Sequence, residues 1–388
     1  MRSVEIPAKF NSIRQAALRA IQPIGSANED SYFYGERTRA GYSLPLYYLV
    51  YFLLVELLGF RSLGQAEKVA WSVPITFEGK VYVIEHRKLG LGVFAGDAKT
   101  EEQQAAKITL LIRKAVNTAA AFFEWLAEQA VAKSKLNVEN RSASLFARFE
   151  YLRDLYRKTA DEAESRKDER IVKETRRNGG VSQIIRFPAL ELRKNAEWLG
   201  LSAIDAFFSW TEHVFIHLAI LQTKITTGVE VADLATADWS EKFKRAIDLG
   251  DKTMKRLFDD LLTIRRQTRN YMAHGAFGKR GEAFKFHSSA GAVPVLLSDQ
   301  AGGHRFTLLD ASDFNEPSAL DVIDNFLRHL WSGNREPARL YIQESHLPII
   351  LPMATDGTYK VAMESTDNMQ GLITALEYDF DRAADMDW

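Results

Sequence analysis

The stretch DKTMKRLFDDLLTIRRQTRNYMAHG, Asp251–Gly275, decides how the rest of the chain is read. Met254, Leu257, Phe258, Leu261, Leu262, Ile264 and Met272 recur at helical spacing, the pattern of a half-buried helix. Gly275 follows where a helix C-cap belongs, and His274 in the last turn suits the negative end of the helix dipole. At about 100° per residue, Arg265 and Arg269 project close to the rows of Leu262 and Met272. A guanidinium on an apolar stripe must find an acceptor, because an unpaired buried charge costs several kcal/mol.

The run Arg269-Asn270-Tyr271-Met272-Ala273-His274 resembles the R-x4-H signature of HEPN domains (higher eukaryotes and prokaryotes nucleotide-binding), in the RN-x-x-AH-G form common in bacterial members. The resemblance covers Asp251–Gly275, with upstream sequence available for a partner helix. It implies a helical bundle that forms a homodimer. It also implies a metal-independent endoribonuclease of toxin–antitoxin or phage-defence systems, acting on RNA, needing no cofactor and held by an antitoxin or defence partner protein. The alternative within the resemblance is a module that has lost activity and only binds nucleotide or RNA, or dimerises.

The chemistry explains why such residues would stand together. RNA carries its own nucleophile, the 2′-hydroxyl, so cleavage needs a proton acceptor, a proton donor and charge stabilisation at the phosphate. Histidine titrates near neutrality and suits the proton steps. Arginine offers planar, bidentate donors to phosphate oxygens. On this reading Arg269 stabilises the phosphorane and His274 moves protons. Asn270 and Tyr271 orient substrate, with Arg265 and Arg266 beside them. Arg269 and His274 are five positions apart, roughly 140° around a helix. Either the last turn unwinds, or two copies meet so that one His faces the other Arg; the resemblance favours the second. The plain alternative is an arginine paired with a core acid and a histidine capping the helix.

Upstream, Pro188 can open a helix running to about Gln222. Phe208, Glu212, Phe215 and Ala219 lie along one stripe of it, so Glu212 is an acid on a buried row. HEPN-like bundles often set a polar residue of an upstream helix against the motif arginine, which makes Glu212 the candidate acceptor for Arg269 or Arg265. Asp205, Ser209, His213 and His217 form the adjacent stripe. A His-x3-His pair can bind zinc, but Val214 follows His213 where a zinc protease has glutamate, and no further ligand is visible. Polar packing or a lining role in the RNA cleft is the preferred reading, with no metal; a metal hydrolase built on His213 and His217 is the third possibility. Downstream, AFGKRGEAFKFHSS adds Lys279 and Arg280 among aromatics, which could hold phosphates and stack bases or simply form a strand with one buried face.

At 388 residues the chain is long enough for two or three units, each with its own core. Apolar residues at 46% and charged residues at 26% argue against disorder. A net charge of −1 means that any RNA site must be a local patch. Without cysteine there are no disulfides and no cysteine-ligated zinc, which is compatible with a reducing cytoplasm. The first residues lack the apolar core of a signal peptide, and Leu44–Leu58 is short of a membrane span, so a soluble cytoplasmic protein with a buried helix there is expected.

The pattern predicts a mainly α (α+β) protein in three regions. Residues 1–180 are mainly helical with a hairpin at about 73–85, and hold helices at 4–21, 44–59, 100–135 and from Ser142 to Arg177. Asn178-Gly179-Gly180 marks the boundary. Residues 181–290 form the HEPN-like bundle. Residues 291–388 form an α+β extension, with a hairpin around Asp356-Gly357 and a helix near 365–377. The charge-dense end of the fourth helix, ADEAESRKDERIVKETRRN, reads as a solvated face or coiled-coil arm in preference to an RNA-binding one.

Overall fold

Alternating residues from Val69 to Ala95, broken at Gly79 and Gly90, fold as three consecutive antiparallel strands. Both glycines have positive φ (79° and 97°), which a side-chain-bearing residue adopts only at a cost. A computed structural model describes residues 6–27, 35–177, 180–274, 285–289, 291–294, 296–297, 306–307 and 316–386. The described chain is mostly helical with small antiparallel sheets, and it divides into two units, Met1–Lys133 with Thr374–Trp388, and Ser134–Ile373.

The first unit runs α1 (Asn11–Ile21), β1 (Gly25–Ser26), β2 (Glu36–Arg37), α2 (Tyr47–Tyr51), β3 (Val69–Phe77), β4 (Lys80–Arg87), β5 (Gly90–Ala95), α3 (Glu102–Thr118) and α4 (Ala120–Ala132). Its sheet has the order β1-β3-β4-β5-β2. Ile108, Ile112 and Ala115 of α3 share one core with Val73, Ile75, Tyr82, Ile84 and Val93 of the sheet. The sequence pattern predicts one hairpin here, at about 73–85, and β5 adds a third strand to it. Gly92 pairs with Glu85 within β5, and a Cβ there would stand 2.8 Å from Arg37 Nε, which explains the glycine. The apolar run from Leu44 is a short helix followed by a wide π-type turn, Phe52–Leu57. Among the described residues no helix is long and apolar enough to cross a membrane. The helix expected at 100–135 is two, separated at Ala119.

The second unit runs β6 (Asn137–Val138), α5 (Ser142–Ser165), β7 (Ile171–Arg177), β8 (Gly180–Arg186), α6 (Pro188–Leu221), α7 (Gly228–Thr236), α8 (Trp239–Ala246) and α9 (Lys252–His274). Short strands follow at β9 (Lys285–Ser288), β10 (Gly291–Pro294), β11 (Leu296–Leu297) and β12 (Phe306–Thr307). Then come α10 (Glu316–Leu330), α11 (Glu336–Arg339), β13 (Ile349–Ile350), α12 (Thr358–Ala362) and α13 (Thr366–Asp385), whose end belongs to the first unit. Lys88 and Lys68 hold that end through Asp385.

Phe146 meets Trp210, Phe149 meets Phe207, and Gly200 lies where a Cβ would touch Tyr156, so α5 and α6 pack antiparallel. Edge-on and tilted aromatic contacts link Phe207, Phe215, Trp239, Phe243 and Phe326 into the core. Both buried indole donors are satisfied, Trp210 Nε1 by Ser142 Oγ at 3.0 Å and Trp239 Nε1 by Thr211 Oγ1 at 2.9 Å.

Two expectations are corrected here. The helix predicted from Ser142 to Arg177 ends at Ser165, where Arg166 closes on Glu162 and Glu169. Beyond it, Ile171, Val172, Ile184 and Ile185 are β-branched and pair across β7 and β8, with Gly180 opening β8. Asp356-Gly357 does not turn a hairpin: Gly357, at φ 94°, starts α12, while Ile349–Ile350 pairs with the distant Asn137–Val138.

Candidate functional site

α6 is positioned by Pro188 in its first turn and by the aromatic core beneath it, and it presents Asp205, Ser209 and Glu212 along one side. α9 brings Arg265, Thr268 and Arg269 opposite. With Phe208 these residues line a cleft of about 580 Å³.

Its floor is an ion triad. Glu212 accepts from Arg265 Nη2 at 2.7 Å and from Lys242 Nζ at 2.8 Å, so one carboxylate ties α6 to both α8 and α9. Lys242 is 5% exposed. The Arg265 guanidinium also lies 5.4 Å from the Phe208 ring and 5.8 Å from that of Trp239, within cation–π range. Burial alone would push the Glu212 carboxyl up; the Lys242 and Arg265 hydrogen bonds outweigh it and hold Glu212 below the usual glutamate range. Of the two acceptor assignments left open, the structure makes Arg265 the partner of Glu212.

Arg269 lines the same cleft but is exposed, and it makes no ion pair with a described residue. Arg265 is thus committed to the fold, while among the described residues nothing takes the Arg269 donors. Thr268 is buried and donates to Ile264 O at 2.9 Å. Arg266 is exposed and lies outside the cleft lining. Asn270, Tyr271 and His274 lie on α9, which stays helical to His274. The unwound last turn is therefore excluded, and the positions of Arg269 and His274 stand roughly 140° apart around the axis. The side chains from Asn270 to His274 lie outside the described residues, as do Lys279 and Arg280.

The sequence reading missed Lys242. The signal existed: Lys242 sits in register with Trp239, Phe243 and Ala246, a cation on a buried row like Arg265. Asp205 and Ser209, read as polar packing or as lining of an RNA cleft, stand among the residues that line this cleft.

The two histidines of that stripe do something else. His213 Nε2 accepts the Arg141 backbone N–H at 2.9 Å, and His217 sets Nδ1 against His213 O (2.9 Å) and Nε2 against Glu139 O (3.2 Å). Their rings lie 4.1 Å apart. These bonds pin the strand-to-helix segment ahead of α5 onto α6, a packing role. Burial, with the neighbouring His217 and Arg141, lowers His213 to about 3; burial lowers His217 to about 4 against the two carbonyls. Among the described residues no group of three or more His, Asp or Glu side chains is placed to hold a metal ion.

No family model, no curated protein and no solved structure matches this chain.

Proposed function

We propose that the second unit is an HEPN-like endoribonuclease, and that the α6–α9 cleft binds the scissile phosphate of RNA. The observation that carries this reading is the division of labour between two arginines one helical turn apart. Arg265 is neutralised by Glu212, and Arg269 at the cleft makes no ion pair with a described residue. An unpaired guanidinium in a partly enclosed site is a ready donor for two phosphate oxygens.

In the proposed reaction the 2′-hydroxyl attacks phosphorus as His274 takes its proton, the bond from phosphorus to the 5′-oxygen breaks, and the imidazolium gives that proton to the departing 5′-oxygen. The products are a 2′,3′-cyclic phosphate and a free 5′-hydroxyl. Arg269 stabilises the charge that develops on the phosphorane, and Asn270 and Tyr271 orient the strand. Because α9 keeps Arg269 and His274 on different sides, the reading requires a homodimer in which one copy's imidazole faces the other's guanidinium. A toxin or defence role in a reducing cytoplasm fits the same proposal.

The test is cleavage of RNA by purified protein in EDTA, with Arg269→Ala and His274→Ala each assayed beside a circular dichroism spectrum. Cleavage abolished in both variants with folding intact supports the reading. RNA binding without cleavage in the wild type moves the assignment to the inactive binding module.

A further inference from the structure

β7 and β8 form a two-stranded hairpin of seven residues each that, among the described residues, pairs only with itself. Such a hairpin has marginal stability alone in water, and this one exposes large apolar side chains on both faces. Ile171, Val172, Ile184 and Ile185 are each about half exposed (46–52%). The segment is also the most one-signed in its neighbourhood. From Arg170 to Arg186 there are five bases (Arg170, Lys173, Arg176, Arg177, Arg186) and one acid (Glu174), a net +4 in a chain of net −1. Glu174 accepts from Gln183 Nε2 at 2.6 Å, a neutral partner. Arg170, Lys173 and Arg186 are exposed and make no ion pair with a described residue. The Arg170 guanidinium lies over the exposed Phe187 ring at 5.9 Å.

We infer that this hairpin is a substrate arm that grips the backbone of single-stranded RNA upstream or downstream of the cleft. The inference rests on the proposed function for the identity of the nucleic acid. Charge decides the class of occupant. A second copy's hairpin would bring +4 against +4, and cations along an edge oppose strand-to-strand pairing. A polyanion gains at each lysine and arginine by counterion release. Geometry decides the reach. The arm joins α6 at Pro188, and the cleft begins at Asp205, about 25 Å further along the same rigid helix. One strand can therefore lie on both, with Phe187 and its overlying guanidinium as a stacking surface between.

The experiment is fluorescence anisotropy with labelled, 2′-O-methylated oligouridylates, which 2′-hydroxyl attack cannot cleave. Lengths of about 16 and about 4 nucleotides cover the usual span of single-strand sites. The triple variant Arg170→Gln/Lys173→Gln/Arg186→Gln changes only exposed side chains, and a charge-reversed Glu version checks the sign. The long oligomer should bind the triple variant on the order of 100-fold more weakly at 0.1 M salt, with a salt slope shallower by about 2, from three contacts at roughly 0.7 each. The short oligomer should lose the cleft-independent part of this effect, changing less than 3-fold, roughly half a decade.

If the triple variant binds the long oligomer as the wild type does, the arm is overturned whatever the nuclease assay shows. Self-association lost in the variant while RNA binding is unmoved also overturns it, and makes the hairpin a contact between copies. If wild-type protein cleaves nothing but the variant still loses long-oligomer binding, the arm stands and the nuclease reading falls.

Discussion

Replacing Glu212 by alanine removes the one carboxylate that holds Lys242 and Arg265. Each is a charge-assisted hydrogen bond, worth about 1.5–3 kcal/mol apiece. The Glu212 side chain is 32% exposed, so solvent screening takes roughly half of that sum. The expected loss is about 1.5–3 kcal/mol, much of it the cost of leaving Lys242 buried and unpaired. Glu212→Ala should therefore cost more than the Glu212→Ala/Lys242→Met pair, and a double-mutant cycle should return a coupling of about 1–1.5 kcal/mol. Because the chain has two units, global melting need not be two-state. The assay is urea unfolding by circular dichroism together with hydrogen exchange of peptides from α6, α8 and α9. Loss of protection confined to those three helices is the signature. The sign with pH follows from the depressed carboxyl: the stabilisation is complete above the unfolded value near 4.5 and is lost as pH falls through the lower folded value. That acid limb should flatten in Glu212→Gln. A Glu212→Ala protein within about 0.5 kcal/mol of wild type, the range of an ordinary surface substitution, refutes the triad as a structural tie.

Three further outcomes are expected. Arg269→Ala should abolish RNA cleavage at unchanged thermal midpoint because its guanidinium bonds no described residue, whereas Arg265→Ala should lower both; equal midpoints for the two variants contradict the division of labour. His217, 1% exposed and lowered to about 4, is neutral in the fold and free to protonate at its ordinary 6.5 when unfolded. Stability is then full above pH 6.5 and falls as pH drops towards 4, by about 2 kcal/mol at pH 5 from 1.5 pH units; His217→Phe should make the slope shallower by that amount in pH-dependent urea titrations, leaving the part that His213 contributes. Gly41→Ala should destabilise the first unit by about 1–3 kcal/mol through overpacking, since the new Cβ would stand 2.5 Å from the Val93 backbone nitrogen; limited proteolysis within residues 35–133 reads this, and an unchanged digestion rate contradicts it.

Local pattern reached far at some places and failed at others for definable reasons. The apolar spacing of α9 and of α6 was legible, as was the anomaly of charges on their buried rows, because helical periodicity is a property of neighbours in sequence. The continuous helix expected through Arg177 failed because charge pairs spaced for a helix also decorate a strand, and the β-branched residues on either side of Gly180 prevailed. Asp356-Gly357 failed because the residues after it pack as a helix, with Tyr359 fully buried, so tertiary burial overrode turn preference.

The amino-acid order alone determined that the chain is mainly helical, that Glu212 and Arg265 both lie on buried rows, and that an Arg-x4-His run sits near the end of a helix. Only the tertiary structure decided which cation Glu212 takes, that Lys242 joins it, that Arg269 lines the same cleft without an ion pair to a described residue, and that the histidine stripe pins a loop. The reason is that periodicity reports the direction of a side chain from its own axis. The partner it meets there depends on how separate helices cross, and that is set by aromatic packing among residues far apart in the chain.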